Sequence, residues 1–267
     1  MQYNVFSKAL VAGAFVMAAG SASGASWYAS SVIEYDAGDA ASSAFNDPNS
    51  ALGVPTSFSN ASFGSFPTTG FQAAAGTSEL VTVGRGGSLT LGFDRVIRDD
   101  ASNPFGIDLI VYGNAFYVAS SFGDPSSTVT GVFAEGGTIE LSADGNTWVT
   151  VSGVEADGGF ATLGYADAID PFGSTPGSVL SDFRTPVDPG FDPIGKTYAE
   201  LLAGYAGGAG GTGIDLAWVG LSEARFIRIT NAIDALGTPE IDGVAIVPAP
   251  PAILALCGGL ATLRRRR

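Results

Sequence analysis

The chain has 267 residues, 26 of them Asp or Glu against 12 Lys or Arg, for a formal net charge of −14; it contains no histidine and one cysteine. The missing imidazole excludes serine–histidine and cysteine–histidine catalysis and removes the commonest zinc ligand. The lone Cys257 leaves no disulfide within the chain, so stability must come from a core, helped by any metal it binds.

Met1 to Ala25 has the make-up of a secretory signal peptide: Lys8 in the leading segment, an apolar stretch from Ala9 to Ala19, then the small residues Ser21-Ala22-Ser23-Gly24-Ala25. Export follows, with a mature chain beginning near Ala25 or Ser26; an uncleaved N-terminal anchor is the alternative. Residues 26–247, about 220 in all, suit one undivided β domain. Its cations are only Arg85, Arg95, Arg98, Arg184, Lys196, Arg225 and Arg228, against all 26 acids, a balance of −19. So acidic a body argues against nucleic acid or anionic lipid as a partner and favours cations or plain solubility.

The body reads as strands. Ser31–Tyr35 is a candidate first strand. Ser88–Phe93 alternates, with Leu89, Leu91 and Phe93 on one face. Gly106–Tyr112 is more continuously apolar, as a central strand covered on both sides would be. Thr138–Ser142 and Thr147–Val151 flank Ala143-Asp144-Gly145-Asn146, and the Asp-Gly step marks a tight hairpin. Thr197-Tyr198-Ala199-Glu200 fits a capping box for one short helix, ended by Gly204 or by Gly207 and Gly208. Arg225–Thr230 and Ile241–Val247 are the expected closing strands. Trp148 and Trp218 are assigned to core packing. Two long loops, Ala37–Thr77 and Gly158–Gly195, are rich in Gly, Pro, Ser, Asp and Phe, and are expected to be ordered.

The C-terminus is tripartite: Val247-Pro248-Ala249-Pro250-Pro251, an apolar run from Ala252 to Leu263, then Arg264, Arg265, Arg266 and Arg267. Prolines stop the preceding strand, the run can enter a bilayer, and the arginines stay on the cytoplasmic side. At ~1.5 Å per residue the run covers about 18 Å of a ~30 Å hydrocarbon core, short for a permanent anchor. The arrangement resembles the PEP-CTERM sorting tail of bacterial surface proteins, with Ala249 where that family's consensus has glutamate. The resemblance implies an exosortase-type membrane protease as partner, transient insertion of the tail into the inner membrane, and surface or matrix localisation. An ordinary short anchor is the alternative.

Gly87–Phe93, Ile107–Phe116, the Ile139–Trp148 hairpin with its Ser-x-Asp-Gly-x-x-Trp pattern, Gly213–Ala217 and the Arg-x-Ile-Arg-Ile strand ending at Ile229 look like secreted bacterial surface proteins. The hairpin and the late strand are similar to galactose-binding-like (discoidin-like) jelly rolls. The expected fold is therefore an all-β, jelly-roll β-sandwich with long loops and one short helix. In that fold calcium often joins a loop after the first strand to an acid on the last. The resemblance places Ca2+ ligands here at Asp36, Asp39, Asn46 or Asp47, with Glu240 and Asp242.

Other features carry less. Asp182, Asp188 and Asp192 miss the EF-hand spacing and read as Asx-turns. Gly208, Gly210 and Gly213 satisfy Gly-x-Gly-x-x-Gly, and Gly210–Asp215 fits one copy of a calcium-binding nonapeptide; without strand, helix or stacked copies, this stretch reads as a flexible turn. The loop aromatics Trp27, Tyr28, Phe58, Phe63, Phe66, Phe71, Phe122, Tyr165 and Phe172 could stack on sugar rings or pin loops to the core. The leading expectation is a non-enzymatic, calcium-dependent binding or adhesion module of the cell surface or extracellular matrix, with a glycan or matrix component as partner. A carbohydrate-active hydrolase using an Asp/Glu pair and a purely structural coat protein are the rivals.

Overall fold

The computed structural model describes residues 25–249. All but the last residue of the expected signal peptide, and the tail from Pro250 to Arg267, lie outside the described residues. In chain order the elements are β1 (Ser31–Asp36), β2 (Phe58–Ala61), β3 (Gly64–Pro67), β4 (Val81–Thr82), β5 (Ser88–Arg98), β6 (Leu109–Gly113), β7 (Phe116–Ala119), β8 (Val129–Phe133), β9 (Thr138–Ser142), β10 (Val149–Val151), α1 (Tyr198–Tyr205), β11 (Thr212–Ile214), β12 (Glu223–Thr230) and β13 (Glu240–Ile246). A five-stranded antiparallel sheet runs β1-β5-β12-β9-β10, and a four-stranded one runs β11-β6-β13-β4. Two hairpins, β2-β3 and β7-β8, stand outside both sheets. The chain is an all-β sandwich, as expected. No helix among the described residues is long and apolar enough to cross a membrane.

Side-chain alternation builds the layers. Leu89, Leu91, Ile139, Leu141, Ile227 and Ile229 of the larger sheet meet Leu109, Val111, Ile214, Val244 and Ile246 of the smaller, all essentially inaccessible. On the larger sheet's other face, Arg228 pairs across the strands with Thr90 and Glu140. Its Nε donates to Glu140 Oε2 at 2.7 Å, and its guanidinium lies 4.3 Å from the Trp148 ring centroid. Trp148 therefore sits half-buried on the outer face, not in the core. Trp218 also departs from expectation, being 51% exposed.

The smaller sheet is apolar on both faces, which explains the continuous hydrophobic run in β6. Ile110, Tyr112 and Ala245 face outward against Phe183 and Ala209 of the long connection before β11. Tyr112 stacks edge-on against Phe183 and donates its hydroxyl to the Phe183 carbonyl at 2.8 Å. Helix α1 packs into a separate apolar cluster with Phe71, Tyr117 and Val187. The Thr197–Glu200 capping box forms as read, and Tyr198, Leu201 and Tyr205 share its buried face at helical spacing. The helix stops at Ala206, which takes the left-handed conformation. Gly204 does not end it: a Cβ there would sit 2.2 Å from the Phe191 ring, so glycine admits that ring.

Both long loops are ordered, and β2-β3 lies within the first. Tyr117 donates to the Tyr205 hydroxyl (2.6 Å), which donates to the Ala161 carbonyl (2.7 Å). Asp182, Asp188 and Asp192 each accept the amide two residues on, the expected Asx-turns. The glycine-rich stretch before β11 is not a loose turn. Gly211 has φ +81°, bonds Phe160 in both directions, and a Cβ there would lie 2.5 Å from Ile110 Cγ2 and 2.8 Å from the Val111 carbonyl. Gly211→Ala should therefore cost at least about 2 kcal/mol, read as a lower thermal and denaturant midpoint; an unchanged midpoint would show that this crossing is not packed as described.

Candidate functional site

Four of the six residues expected to hold calcium have side-chain partners of their own. Asp36 Oδ1 accepts the Gly38 amide at 3.1 Å, and Asp39 exchanges backbone bonds with Arg85. Asn46 is exposed; Asp47 caps the short 3-10 turn Pro48–Ala51 through the Asn49 amide at 3.0 Å. Glu240 Oε2 accepts from Asn114 Nδ2 at 2.6 Å. Asp242, 3% exposed, accepts both the Thr56 amide (2.8 Å) and its hydroxyl (2.9 Å). These bonds make Asp242 a pin between β13 and the first long loop. Among the described residues, three carboxylates converge at Asp99, Asp108 and Asp215, of which only Asp215 had drawn notice in the sequence, at the end of the nonapeptide-like stretch.

Of the residues expected in the sorting signal, Val247 is buried and its amide donates to the Asp108 carbonyl at 2.9 Å. Pro248 is half-buried and Ala249 exposed. Pro250 and Arg264–Arg267 lie outside the described residues.

An aromatic cleft of ≈ 520 Å³ between the two free-standing hairpins gathers several of the aromatics expected to bind a ligand. Phe63, Phe66, Phe71, Phe116 and Phe122 line it, with Gln72 and Asn114 as polar groups. Phe63 sits in the two-residue turn joining β2 to β3, and Phe122 in the longer loop joining β7 to β8. They are 78% and 83% exposed. Phe63 stacks on Phe66 with centroids 5.8 Å apart, and Phe122 leans edge-on against Phe172 at 5.1 Å, so the rings are held by aromatic neighbours. The cleft thus unites Phe63, Phe66, Phe71 and Phe122 from the expected aromatics. Phe58, Tyr165 and Phe172 do not line it, and Trp27 lies under Arg95 at 3.8 Å.

At the end of the cleft, Asn114 leads to an acidic pair, Asp157 and the half-buried Glu240. Asp157 is inaccessible; its Oδ1 accepts the Ala115 amide at 2.7 Å and its Oδ2 the Glu240 amide at 3.2 Å. Burial pushes its carboxyl up to about 7 against the two amides, with Glu135 and Glu240 adding repulsion. Burial likewise raises Glu240. Neither Asp157 nor Asn114 carried a sequence signal: the former sits in a glycine-rich loop, and only the long-range contact reveals it.

No protein-family model matches the chain, and no curated protein is significantly similar to it.

Burial also lifts Asp242 to about 7. Unfolded, Asp157 and Asp242 titrate near 3.8, so between about pH 4 and 7 the folded state holds protons that the unfolded state has released. Stability should therefore fall as pH rises through that window and level off above it. The thermal midpoint in calcium-free buffer should be higher at about pH 5 than at about pH 8, and Asp242→Asn should flatten the slope. A midpoint that rises with pH over this range would contradict the assignment.

Proposed function

We propose that this chain is an exported, non-enzymatic binding module of the cell surface or extracellular matrix, delivered through its C-terminal tail and holding a glycan in the cleft between its two free hairpins. The observation that carries the reading is the convergence of five phenylalanines with Gln72 and Asn114 on one concave surface. Sugar rings present apolar C–H faces that stack on aromatic side chains, and hydroxyls that bond to amides. Exposed rings displayed on two hairpin ends favour an extended chain over a small enclosed ligand. The acidic body supports repulsion from anionic polymers, which directs the reading to neutral or cationic glycans.

The sorting half of the proposal rests on the tail's proline stop, apolar run and arginine block. Val247, the last buried residue among those described, follows directly on β13 and opens that segment. An exosortase-type protease is the partner such a tail implies, with transient insertion into the inner membrane. A hydrolase reading would draw on the raised carboxyls of Asp157 and Glu240, but Asp157 is sealed and both its oxygens accept backbone amides.

The test is retardation in gels containing neutral polysaccharides, together with a glycan array. The native protein should bind, and Phe63→Ala with Phe122→Ala should weaken binding at least about tenfold while leaving the melting temperature unchanged, since both rings are exposed. Release of reducing ends would favour the hydrolase. Silence on every glycan would leave the cleft without this role.

A further inference from the structure

Ahead of β1 the chain lies along the last strand. The Ile246 amide donates to the Trp27 carbonyl at 2.7 Å, the Ala29 amide donates to the Val244 carbonyl at 3.0 Å, and Tyr28 bridges Ala245 in antiparallel register. Residues 27–29 thus form a short edge segment on β13. Its start lies where β13 ends: Trp27, Arg95, Val247 and Ala249 line one hollow of ≈ 220 Å³. Ser26 opens this segment, directly after Ser23-Gly24-Ala25, whose small residues suit cleavage of a leader.

A carboxylate holds Ser26. Asp94, on β5, meets the Ser26 nitrogen with both oxygens, at 3.0 Å and 3.1 Å. Its own amide donates to Ser30 Oγ at 3.1 Å, which ties this part of β5 to the approach of β1. Asp94 forms no ion pair among the described residues. A peptide nitrogen carries one hydrogen, which here is split between two acceptors. An ammonium carries three, so it can give each oxygen a hydrogen of its own, in charge-assisted bonds. The arrangement suits a chain terminus better than a chain interior.

The neighbouring positive charges are engaged elsewhere. The Arg95 guanidinium lies 3.8 Å from the Trp27 ring centroid; its Nε donates to the Ser26 carbonyl at 3.3 Å and its Nη2 to the Ala25 carbonyl at 2.7 Å. Cutting the Ala25–Ser26 bond removes only the last of these contacts. Arg98, in the same hollow, pairs with Glu223 at 3.4 Å, and Arg184, 6.0 Å from the Trp27 ring, pairs with Asp182. Asp100 also borders the hollow, and its Oδ1 accepts the Ser102 amide and hydroxyl. Ser26 Oγ accepts the Tyr28 amide at 3.0 Å, so the serine itself turns the chain into the edge segment.

We propose that Asp94 is the receptor for the mature N-terminus: hydrolysis of the Ala25–Ser26 bond during export frees Ser26 as an ammonium, which pairs with both Asp94 oxygens. A signal-peptidase-type protease performs the cut, with water as co-reactant. The Ala25 carbonyl carbon takes the water oxygen and departs as the leader's carboxylate, and the Ser26 nitrogen takes the two protons. The inference rests on the export reading and adds to it the bond that is cut and the group that receives the product. It involves no residue of the aromatic cleft, so glycan binding can fail while this holds. The ion pair fastens the edge segment to β13 where the sorting segment opens, so removal of the leader reinforces the strand from which the tail departs.

The protein is purified from the cells that make it, and its first residue is read by mass spectrometry. Ser26 is expected. A chain still beginning at Met1 would sink the export reading and this inference together; a processed chain beginning at any other residue would sink this inference alone. The amines are then trace-labelled with acetic anhydride across a pH series and the label is counted by mass spectrometry. Lys8 leaves with the leader, so Lys196 is the other amine and the internal reference. The Ser26 amine should titrate above the ~7.7–8.0 of a free terminus, which the same chain unfolded in urea should show. Asp94→Asn should return it to that range and leave Lys196 unmoved; Asp94 is exposed, and an unchanged strand spectrum in circular dichroism verifies that the variant folds. A Ser26 amine in the ordinary range in the native protein, or one that Asp94→Asn does not move, would overturn the proposal.

Discussion

Three buried aspartates that form no ion pair among the described residues hold this sandwich to its loops. Asp108, Asp157 and Asp242 all belong to the smaller sheet or its immediate approaches, all are at most 3% exposed, and each accepts backbone amides from a distant segment. A carboxylate offers about four acceptor positions, so one buried side chain can satisfy several loop amides that no strand would pair. With no disulfide available inside the domain, these contacts do the cross-linking. Asp108 joins both sheet crossings, Asp157 joins the loop before β7 to the start of β13, and Asp242 fixes the first long loop. Burying them is opposed by desolvation, which raises all three carboxyls, yet removing any one would orphan the amides it serves.

The consequence is an asymmetric sandwich. One sheet turns a polar ladder of Thr90, Arg228 and Glu140 outward. The other is covered by the long connection from β10 to β11, whose rings form a second core around Phe71, Tyr117, Leu163 and Tyr205. That second core supports the bases of the hairpins from which Phe63 and Phe122 project. The aromatic cleft is thus built on packed loops, and the carboxylate cluster lies instead among the crossings between the two sheets.

Much of the frame was legible in the residues. Leu89-Thr90-Leu91 and Ile227-Arg228-Ile229 gave their strands by alternation, Asp144-Gly145 gave its turn, and Thr197–Glu200 gave the helix start. The turn forms as a nest around Asp144 and Ser142, although β10 begins at Val149 rather than Thr147. The hairpins β2-β3 and β7-β8 escaped, because short strands among glycine and serine carry no clear period. Trp148 and Trp218 misled, since a large apolar ring can rest on a charged face or a surface as readily as in a core. The acidic cluster was the least legible: Asp99, Asp108 and Asp215 are brought together by strand pairing over more than a hundred residues. The expected Asp36–Asp242 set came from resemblance; within it Asp36 holds a local turn, Asp47 a cap and Asp242 a pin.

If buried carboxylates lock the loops, loop amides should be as hard to open as the core. Hydrogen exchange resolved by residue tests this most directly, at the amides of Thr56, Asp100, Ala115 and Leu216, all outside regular strands. Exchange as slow as that of Leu91 and Ile227 in the central strands, and lost together with them on unfolding, is the predicted result. Exchange as fast as in exposed turns, while the strands remain protected, would contradict the account.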